Sequence, residues 1–350
     1  MAGIRIKDIA LLAGVSTGTV DRVIHQRAGV SAATRERIQK LLDEHHYMPD
    51  LAGRSLALKK TFHLAVLMPR PTLKHSFWKL PGKGLAKALD ERLQYNIQLE
   101  EWYFDQFDRT SFEETVLNFP FDRLDGVLFA PVFLDESKAF LKSCEEQGLP
   151  VVLFNSLIPS PAVQSFVGQD AYQSGQVAGR LIHYGLDRGK DLAIINMSLR
   201  KDHYAHIIER EKGFRSYFSA QDRNWGNIWT LDLNGADKKQ LKSGLESLFS
   251  ERDPGGVFVT NSRVYEVAAF LSTREHLRPR LVGYDLLPDN IEYLTRGQID
   301  FLISQKPEEQ ARVGLGALFD LLALQRQPAS RIWLPIDIIS RENLRYYDFN

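Results

Sequence analysis

The first 48 residues contain three short stretches in which apolar residues recur at helical spacing. The first stretch ends at Gly14, where a glycine turn would end a helix, and the second follows Ser16, whose hydroxyl can cap a helix. The third begins near Ser31, another candidate cap. Their apolar positions are Ile6, Ile9, Ala10 and Ala13, then Val15, Val20, Val23 and Ile24, then Ile38, Leu41, Leu42 and Tyr47. Residues 1–48 are therefore predicted to form a small all-α helix-turn-helix domain.

From residue 62 onward the pattern changes, because short β-rich apolar runs alternate with stretches of helical periodicity. The predicted strands are LAVLMP, IQLEEWYF, GVLFAPV, VVLFN, LAIINM, GVFVT, RLVGYD and DFLIS. Helical spacing lies between them, as in residues 80–93 and 205–218. This alternation predicts parallel sheets covered by helices on both faces. The chain remaining after residue 62 is long enough for two such α/β lobes.

Charge is unevenly distributed although the formal net charge is zero. Residues 1–60 hold ten basic and six acidic side chains, whereas the remaining 290 hold 34 and 38. A basic head is typical of proteins that contact nucleic acid. Cys144 is the single cysteine, which excludes an internal disulfide and fits a reducing compartment. We find no apolar run long enough for a signal peptide or a membrane span, so a cytoplasmic protein is expected.

The residue types argue against catalysis and metal binding. The segment PGKGLAK lacks the spacing of a phosphate-binding loop, and the chain has no G-x-S-x-G elbow. His203 and His206 form an HxxH pair without further ligands, and the pattern predicts a solvated helix face for both. We therefore predict no catalytic residues, no metal and no cofactor.

Three quoted segments of the head resemble the LacI/GalR family of bacterial transcription regulators. They are KDIALLAGVSTGTVDRVI, GVSAATRERIQ and YMPDLAGRSLALKK. The resemblance continues through FVGQDAYQSGQVAGRLI, REKGF and LVGYDLLPDNIEYLTRGQIDFLISQKPEEQARVG, the last of which is equally similar to periplasmic sugar-binding proteins.

The resemblance implies a domain plan for the whole chain. A hinge helix and linker would occupy residues 49–61, and a two-lobed effector-binding domain of the periplasmic-binding-protein type (type I) would occupy residues 62–350. The first lobe would comprise 62–167 and 306–330, and the second 168–305 and 331–350.

The second helix of the head is the predicted DNA-reading element, because its outward residues lie near the start, where such helices enter the major groove. The predicted DNA contacts on this helix are Thr17, Gly18, Thr19 and Arg22, the last suited to a guanine edge or a phosphate. The resemblance implies that Leu56 of the hinge helix wedges between base steps, with Arg54, Lys59 and Lys60 on phosphates. Asp21 stands where the family more often has serine, and Gly18 replaces a side chain that often reads bases. The alternative is a helix bundle that only packs against another surface.

Residues that follow predicted strands are the candidates for a ligand site, because ligands of open α/β sheets bind at the carboxyl ends of strands. They are Phe77, Trp78, Asp105, Asn155, Asn261, Asp285 and Gln305, together with Asp170 at the crossover and Arg210 at the start of REKGF. By resemblance, Asn155, Arg210, Asn261, Asp285 and Gln305 fall on effector-contacting positions. Alternating donors and acceptors beside an aromatic platform suit a polyhydroxylated ligand.

Each candidate also has a structural interpretation. Arg210 and Asp285 could form a plain salt bridge, and Phe77 and Trp78 could belong to a lobe core or a dimer surface. Loop capping would explain Asn155, Asn261 and Gln305, and the segment SRVYEVAAF after Asn261 departs from the family pattern.

These features predict a ligand-responsive transcriptional regulator, a repressor, that binds a pseudo-palindromic operator as a homodimer. Its effector would be a small carbohydrate or sugar derivative, acting as inducer or corepressor. A dimer is expected because the C-terminal ISRENLRYYDFN has no heptads. Two alternatives remain: a solute-binding receptor without DNA function, and a sugar-processing enzyme.

Overall fold

The computed structural model describes residues 4–24, 27–45, 60–71, 77–187, 189–198, 205–221, 225–234, 237–274 and 276–347. The chain divides into two units, one of residues 1–61 with 93–96 and the other of residues 62–92 with 97–350.

The described part of the head contains the helices α1 (Ile6–Ala13), α2 (Thr17–Ile24) and α3 (Ala32–Glu44). Gly14 ends α1 in the left-handed conformation, with φ of 65°, and donates its N–H to the carbonyls of the last turn. Ser16 Oγ accepts from the Thr19 N–H at 3.1 Å, and Ser31 Oγ accepts from the Thr34 N–H at 3.3 Å, so both serines cap the helices as predicted. Buried apolar residues of all three helices form one small core, made of Ile9, Ala10, Ala13, Val20, Val23, Ile38 and Leu42.

The larger unit contains two six-stranded sheets in its described part. The first sheet holds β1 (Phe62–Pro69), β2 (Ile97–Phe104), β3 (Gly126–Phe129), β4 (Val151–Phe154), β5 (Val163–Gly168) and β11 (Arg331–Trp333). The second holds β6 (Leu192–Met197), β7 (Ile228–Leu233), β8 (Gly256–Val259), β9 (Arg280–Tyr284), β10 (Phe301–Ser304) and β12 (Asp337–Ile339).

Helices connect and cover these strands. They are α4 (Lys79–Asp90), α5 (Arg109–Leu117), α6 (Leu134–Glu146), α7 (Ala171–His183), α8 (Ala205–Ser219), α9 (Lys238–Glu251), α10 (Val264–Ser272), α11 (Pro288–Thr295) and α12 (Pro307–Leu324). The described residues also include 3₁₀ turns at Phe121–Arg123 and Leu344–Tyr346.

The strand order is β11-β5-β4-β3-β1-β2 in the first sheet and β12-β10-β9-β8-β6-β7 in the second. Each described pairing is parallel except that of β10 with β12. The inner strands β3, β4, β6 and β8 are buried along their whole length, as expected for parallel strands covered on both faces. The larger unit therefore consists of two doubly wound α/β lobes, which confirms the predicted fold class.

The chain passes between the lobes three times, after β5, after β10 and after β11. The last crossing corrects the sequence-based boundary, which placed residues 331–350 in the second lobe. Arg331 pairs with Phe166 and Trp333 with Gly168, so β11 extends the first sheet. The second lobe resumes only at β12, where Asp337 pairs with Ser304. Among the described residues, no helix is long and apolar enough to cross a bilayer.

Candidate functional site

The outward face of α2 carries the predicted DNA contacts. Thr17, Gly18 and Arg22 are exposed, while Thr19 is half-buried with its hydroxyl 2.9 Å from Ser16 Oγ. The carboxylate of Asp21 lies 3.5 Å from Arg27 Nη1, so this acidic group has a cationic partner. Such a pair lowers the cost of placing a carboxylate near phosphates. Arg54, Leu56 and Lys59, with most of the predicted hinge segment, lie outside the described residues.

A buried polar cluster lies where the strands of the second lobe meet the crossover after β10. Arg210 on α8 donates through Nη1 to the Thr260 carbonyl at 2.7 Å and through Nη2 to Gln305 Oε1. Its guanidinium carbon lies 3.8 Å from the centre of the Tyr284 ring. Asp285 accepts from the Gln305 backbone N–H at 3.1 Å and from Gln305 Nε2 at 2.6 Å. We call these five residues, Arg210, Thr260, Tyr284, Asp285 and Gln305, the Arg210 cluster.

Burial dominates the electrostatics of the Arg210 cluster. Removal from water raises the pKa of Asp285 to about 6, against the opposing effects of the Gln305 hydrogen bonds and the Arg210 charge. Burial also lowers the pKa of Arg210 and raises that of Tyr284. The Nε atom of Arg210 is buried and has no hydrogen-bond partner among the described residues. The guanidinium is thus held by two hydrogen bonds through Nη1 and Nη2, while Nε has no partner in the described part of the chain.

Backbone strain is concentrated at the strand ends that surround this cluster. Asn155 after β4, Asp285 after β9 and Lys306 after β10 all have positive φ, of 69°, 68° and 54°. Left-handed backbone costs a non-glycine residue energy, of order 1 kcal/mol or more, and such residues occur preferentially at ligand sites. The side chain of Asn290 stabilises one of these turns by donating to the carbonyls of Tyr284 and Asp285 at 2.9 and 3.0 Å.

A glutamine of the first lobe connects two of the strand ends. Gln310 on α12 accepts from the Asn155 N–H at 2.7 Å and donates to the Gln305 carbonyl at 2.7 Å. It is almost completely buried. Gln310 thereby connects Asn155 of the first lobe to Gln305. The side chain of Gln305 in turn binds Arg210 and Asp285 of the second lobe.

Close packing of two helices positions Arg210 itself. A Cβ added to Gly175 on α7 would lie 2.1 Å from the Arg210 carbonyl oxygen, and one added to Gly213 on α8 would lie 1.9 Å from the Tyr172 carbonyl oxygen. Only glycine allows these backbones to approach so closely. The spacing of α7 and α8, and hence the reach of Arg210, depends on both glycines.

The structure brings Arg210, Asp285, Gln305 and Asn155 together, but it gives other candidates local partners. Trp78 is 5% exposed and packs in the first-lobe core, where its Nε1 donates to Gln106 Oε1 at 2.8 Å; Phe77 is half-buried beside it. Asp105 is exposed and accepts from the Phe107 N–H at 2.8 Å. Asp170 caps α7. Asn261 accepts from the Arg263 N–H at 3.1 Å and donates to the Met197 carbonyl at 2.7 Å.

Sequence reasoning missed several residues at the meeting of the lobes. Gln310 and Gln169 lie in segments that carry the family resemblance but were not singled out as site residues, and His206 was expected on a solvated face. That expectation is wrong, because His206 is half-buried and its Nδ1 lies 3.1 Å from Ser156 Oγ of the first lobe. His203 lies outside the described residues. The described residues contain no cluster of three potential metal ligands.

Comparison with known proteins matches both units to families. A periplasmic binding protein domain matches residues 65–326, and a domain of bacterial regulatory proteins of the lacI family matches residues 5–50. A probable HTH-type transcriptional repressor, ExuR of Bacillus subtilis, is 27% identical over 98% of both chains. The sucrose operon repressor of Lactococcus lactis is 26% identical over 81% of this chain and 83% of its own length.

A solved structure supports the same assignment. The crystal structure of a putative LacI transcriptional regulator from Bacteroides fragilis is 29% identical, with a TM-score of 0.76, and covers 83% of this chain and all of its own. The chain therefore belongs to the LacI family of bacterial regulatory proteins, with a periplasmic binding protein domain following its helix-turn-helix head in sequence.

Proposed function

We propose that this protein is a transcriptional repressor that binds operator DNA as a homodimer in the cytoplasm and changes its operator affinity when a polar ligand binds between its lobes. One observation carries the proposal: a single chain combines an exposed reading helix with a buried Arg210 cluster at the lobe boundary. The reading helix suits a major groove, and the cluster suits a ligand rich in hydroxyl or carboxyl oxygens.

The proposed DNA contacts are Thr17, Gly18, Thr19 and Arg22 on α2, together with Arg54, Leu56 and Lys59 of the hinge segment. Exposure of Thr17, Gly18 and Arg22 supports the first group. The hinge residues are proposed from family membership. A short hinge helix is marginal by itself, so it would fold only on DNA beside its partner helix.

The proposed effector is a sugar or sugar derivative. Arg210 offers donors, Asp285 offers acceptors, and Gln305 and Asn155 offer both, which is the mixture that vicinal hydroxyl groups require. A relative named for the sucrose operon supports this class. Phe77, Trp78, Asp105, Asp170 and Asn261 remain weaker candidates because they lie outside the Arg210 cluster and contact their own neighbours instead.

DNA binding is tested by fluorescence anisotropy of the full chain on genomic fragments from the neighbourhood of its gene. We expect affinity that falls steeply with salt, as for any protein that neutralises phosphates.

Leu56→Ala should weaken specific binding more than binding to random DNA, because only a deformable site benefits from the wedge. Equal loss on both would remove the wedge role.

Ligand binding is tested by a thermal-shift screen of monosaccharides, sugar acids and sugar phosphates. A bound ligand stabilises the folded state by mass action, so the melting temperature rises with its concentration. The variant Arg210→Met should abolish the shift, whereas Asp135→Asn, at an exposed position of α6, should retain it. The ligand should also change operator affinity by about 1–3 kcal/mol, in either direction.

Two other functions make different predictions. A solute receptor without DNA function would show the thermal shift but no salt-dependent DNA binding. A sugar-processing enzyme would convert the ligand to a product; we propose that this protein does not, and chromatography of the ligand after incubation tests it.

A further inference from the structure

Asn196, near the end of β6, has a buried side-chain amide whose hydrogen bonds fix its orientation. The residue is completely buried. Its Oδ1 accepts from Thr260 Oγ1 at 2.7 Å, and its Nδ2 donates to Glu211 Oε2 at 3.2 Å and to Asp232 Oδ1 at 2.7 Å. Because a hydroxyl can donate whereas an ionised carboxylate can only accept, the amide oxygen faces Thr260 and the amide nitrogen faces the two acids.

Thr260 connects this amide to the Arg210 cluster. It follows Val259, the last residue of β8, and it is completely buried. Its hydroxyl donates to Asn196, while its backbone carbonyl accepts from Arg210 Nη1 at 2.7 Å. Its N–H donates to the Ile195 carbonyl at 3.1 Å. Beyond the end of β8, the position of the carbonyl that binds Arg210 therefore depends on the Thr260 side chain as well as on its backbone.

Glu211 connects the same amide back to α8. It is the residue after Arg210 and is 6% exposed, so its carboxylate needs partners. Besides the Asn196 amide, it accepts from Arg215 Nε at 2.9 Å and from Thr230 Oγ1 at 2.8 Å. Consecutive residues of a helix point about 100° apart. Arg210 thus ties α8 to the end of β8 and Glu211 ties it to β6, so rotation of α8 about its axis would strain these bonds.

We propose that Asn196, Thr260 and Glu211 are positioning residues of the Arg210 cluster. Their side chains hold α8 and the end of β8 in the arrangement that places the Arg210 guanidinium between Thr260 and Gln305. With Arg210 they form a closed hydrogen-bonded circuit, which we call the Asn196 network. The consequence for effector affinity rests on the proposed function, because a preorganised Arg210 loses less conformational freedom when a polar effector binds.

The test measures rotation of the Arg210 guanidinium by NMR in the full chain, without sugar or DNA, after labelling the arginines with ¹³C and ¹⁵N. Rotation about the Nε–Cζ bond exchanges Nη1 and Nη2, and both atoms donate hydrogen bonds. Arg210→Lys removes the Arg210 signal and so assigns it. We expect two separate Nη resonances for Arg210 in the wild type.

Two variants at Thr260 examine the network directly. Thr260→Val keeps the size of the side chain and the carbonyl that binds Arg210, but it removes the hydroxyl that reaches Asn196. We expect rotation of the Arg210 guanidinium at least about fivefold faster, the effect of one typical hydrogen bond. Thr260→Ser retains the hydroxyl and should restore the wild-type rate.

Asn196→Ala removes the amide itself and should accelerate the rotation further, since both α8 and the end of β8 lose a partner. Circular dichroism establishes whether this variant is folded. If it does not fold, the two Thr260 variants decide the question.

Thr115→Val on α5 is the matched control in the first lobe. The Thr115 hydroxyl donates to the Ser111 carbonyl at 2.8 Å, so the variant loses a comparable hydrogen bond. It should lower the melting temperature without changing the Arg210 rotation.

Three results would overturn the positioning role. They are averaged Nη resonances in the wild type, an unchanged rate in Thr260→Val, or an equal acceleration in Thr115→Val, which would assign the effect to a general loss of stability. Since no sugar or DNA is present, the outcome does not depend on whether the proposed effector class is correct.

Discussion

At the scale of single residues, the Arg210 cluster holds two opposite charges away from water. Removing both charges from water costs several kcal/mol, which attraction and hydrogen bonds offset only in good geometry. Gln305 supplies that geometry, because its amide accepts from Arg210 and donates to Asp285. Arg210 Nε is the one guanidinium nitrogen that has no hydrogen-bond partner among the described residues.

Asp285→Asn tests the raised pKa of Asp285. A raised carboxyl pKa stabilises the folded state at low pH and loses that contribution as the pH rises from about 4 to about 6. The free energy of unfolding of the wild type should therefore fall by up to about 3 kcal/mol, relative to that of the variant, as the pH rises across this range. Urea unfolding of both proteins at about pH 4.5 and about pH 7 measures the difference. A constant difference would contradict the raised pKa.

Arg22→Ala tests the reading helix. Removal of the exposed Arg22 side chain should cost about 1–3 kcal/mol of the free energy of specific DNA binding if Arg22 makes a bidentate contact with guanine. Competition binding on an operator and on single-base variants checks this, with Arg37→Ala on the exposed face of α3 as the control. An unchanged preference among the variants would restrict Arg22 to phosphate contact.

At the scale of secondary-structure elements, the crossing of α7 and α8 determines where Arg210 reaches. Gly175 and Gly213 let each helix approach the backbone of the other. The contacts are backbone to backbone, so no side-chain rotation can relieve an added methyl group.

Gly175→Ala should therefore destabilise the protein by about 1–3 kcal/mol, the usual cost of overpacking, and weaken ligand binding by moving Arg210. Gly82→Ala on α4 is the matched control, because its Cβ would have no neighbour within 4 Å. Alanine there should stabilise the helix by up to about 1 kcal/mol. Thermal unfolding of the two variants should shift in opposite directions, and a neutral Gly175→Ala would show that the helices can separate freely.

At the scale of the whole molecule, the three crossovers act together because one side chain connects them. Gln169, after β5, donates its amide to the Ser304 carbonyl at 2.6 Å and to the Pro335 carbonyl at 2.9 Å. Lys306 and Asp337 add an ion pair of 2.8 Å between the second and third crossovers. Relative motion of the lobes must therefore bend or break these bonds.

Gln169→Met keeps the side-chain length but leaves two carbonyls without their donor. Each unsatisfied buried group costs about 1–3 kcal/mol, so we expect a clear loss of melting temperature and faster amide hydrogen exchange at the crossovers. Gln327→Met, at an exposed glutamine, should change neither. Unaltered exchange in Gln169→Met would indicate that strand pairing alone, without the Gln169 hydrogen bonds, stabilises the three crossovers.

Much of the fold could be predicted because its signals are local. Gly14 and Ser31 act on neighbouring residues, and each of the eight predicted apolar runs overlaps an observed strand. Strands β5, β7, β11 and β12 were not predicted. β7 and β11 are edge strands that are only partly buried, so their composition is less apolar.

The sequence by itself determined the helix-turn-helix head, the βαβ order and the polar residues at strand ends, since periodicity and capping depend on residues a few positions apart. Only the tertiary structure decided that Trp78 is core, that His206 faces the other lobe and that Arg331–Trp333 joins the first sheet. Gln169 and Gln310 acquire their roles from partners as far as 166 and 155 positions away. Burial and partnership across such separations depend on how the lobes pack, and no local pattern in the chain records that.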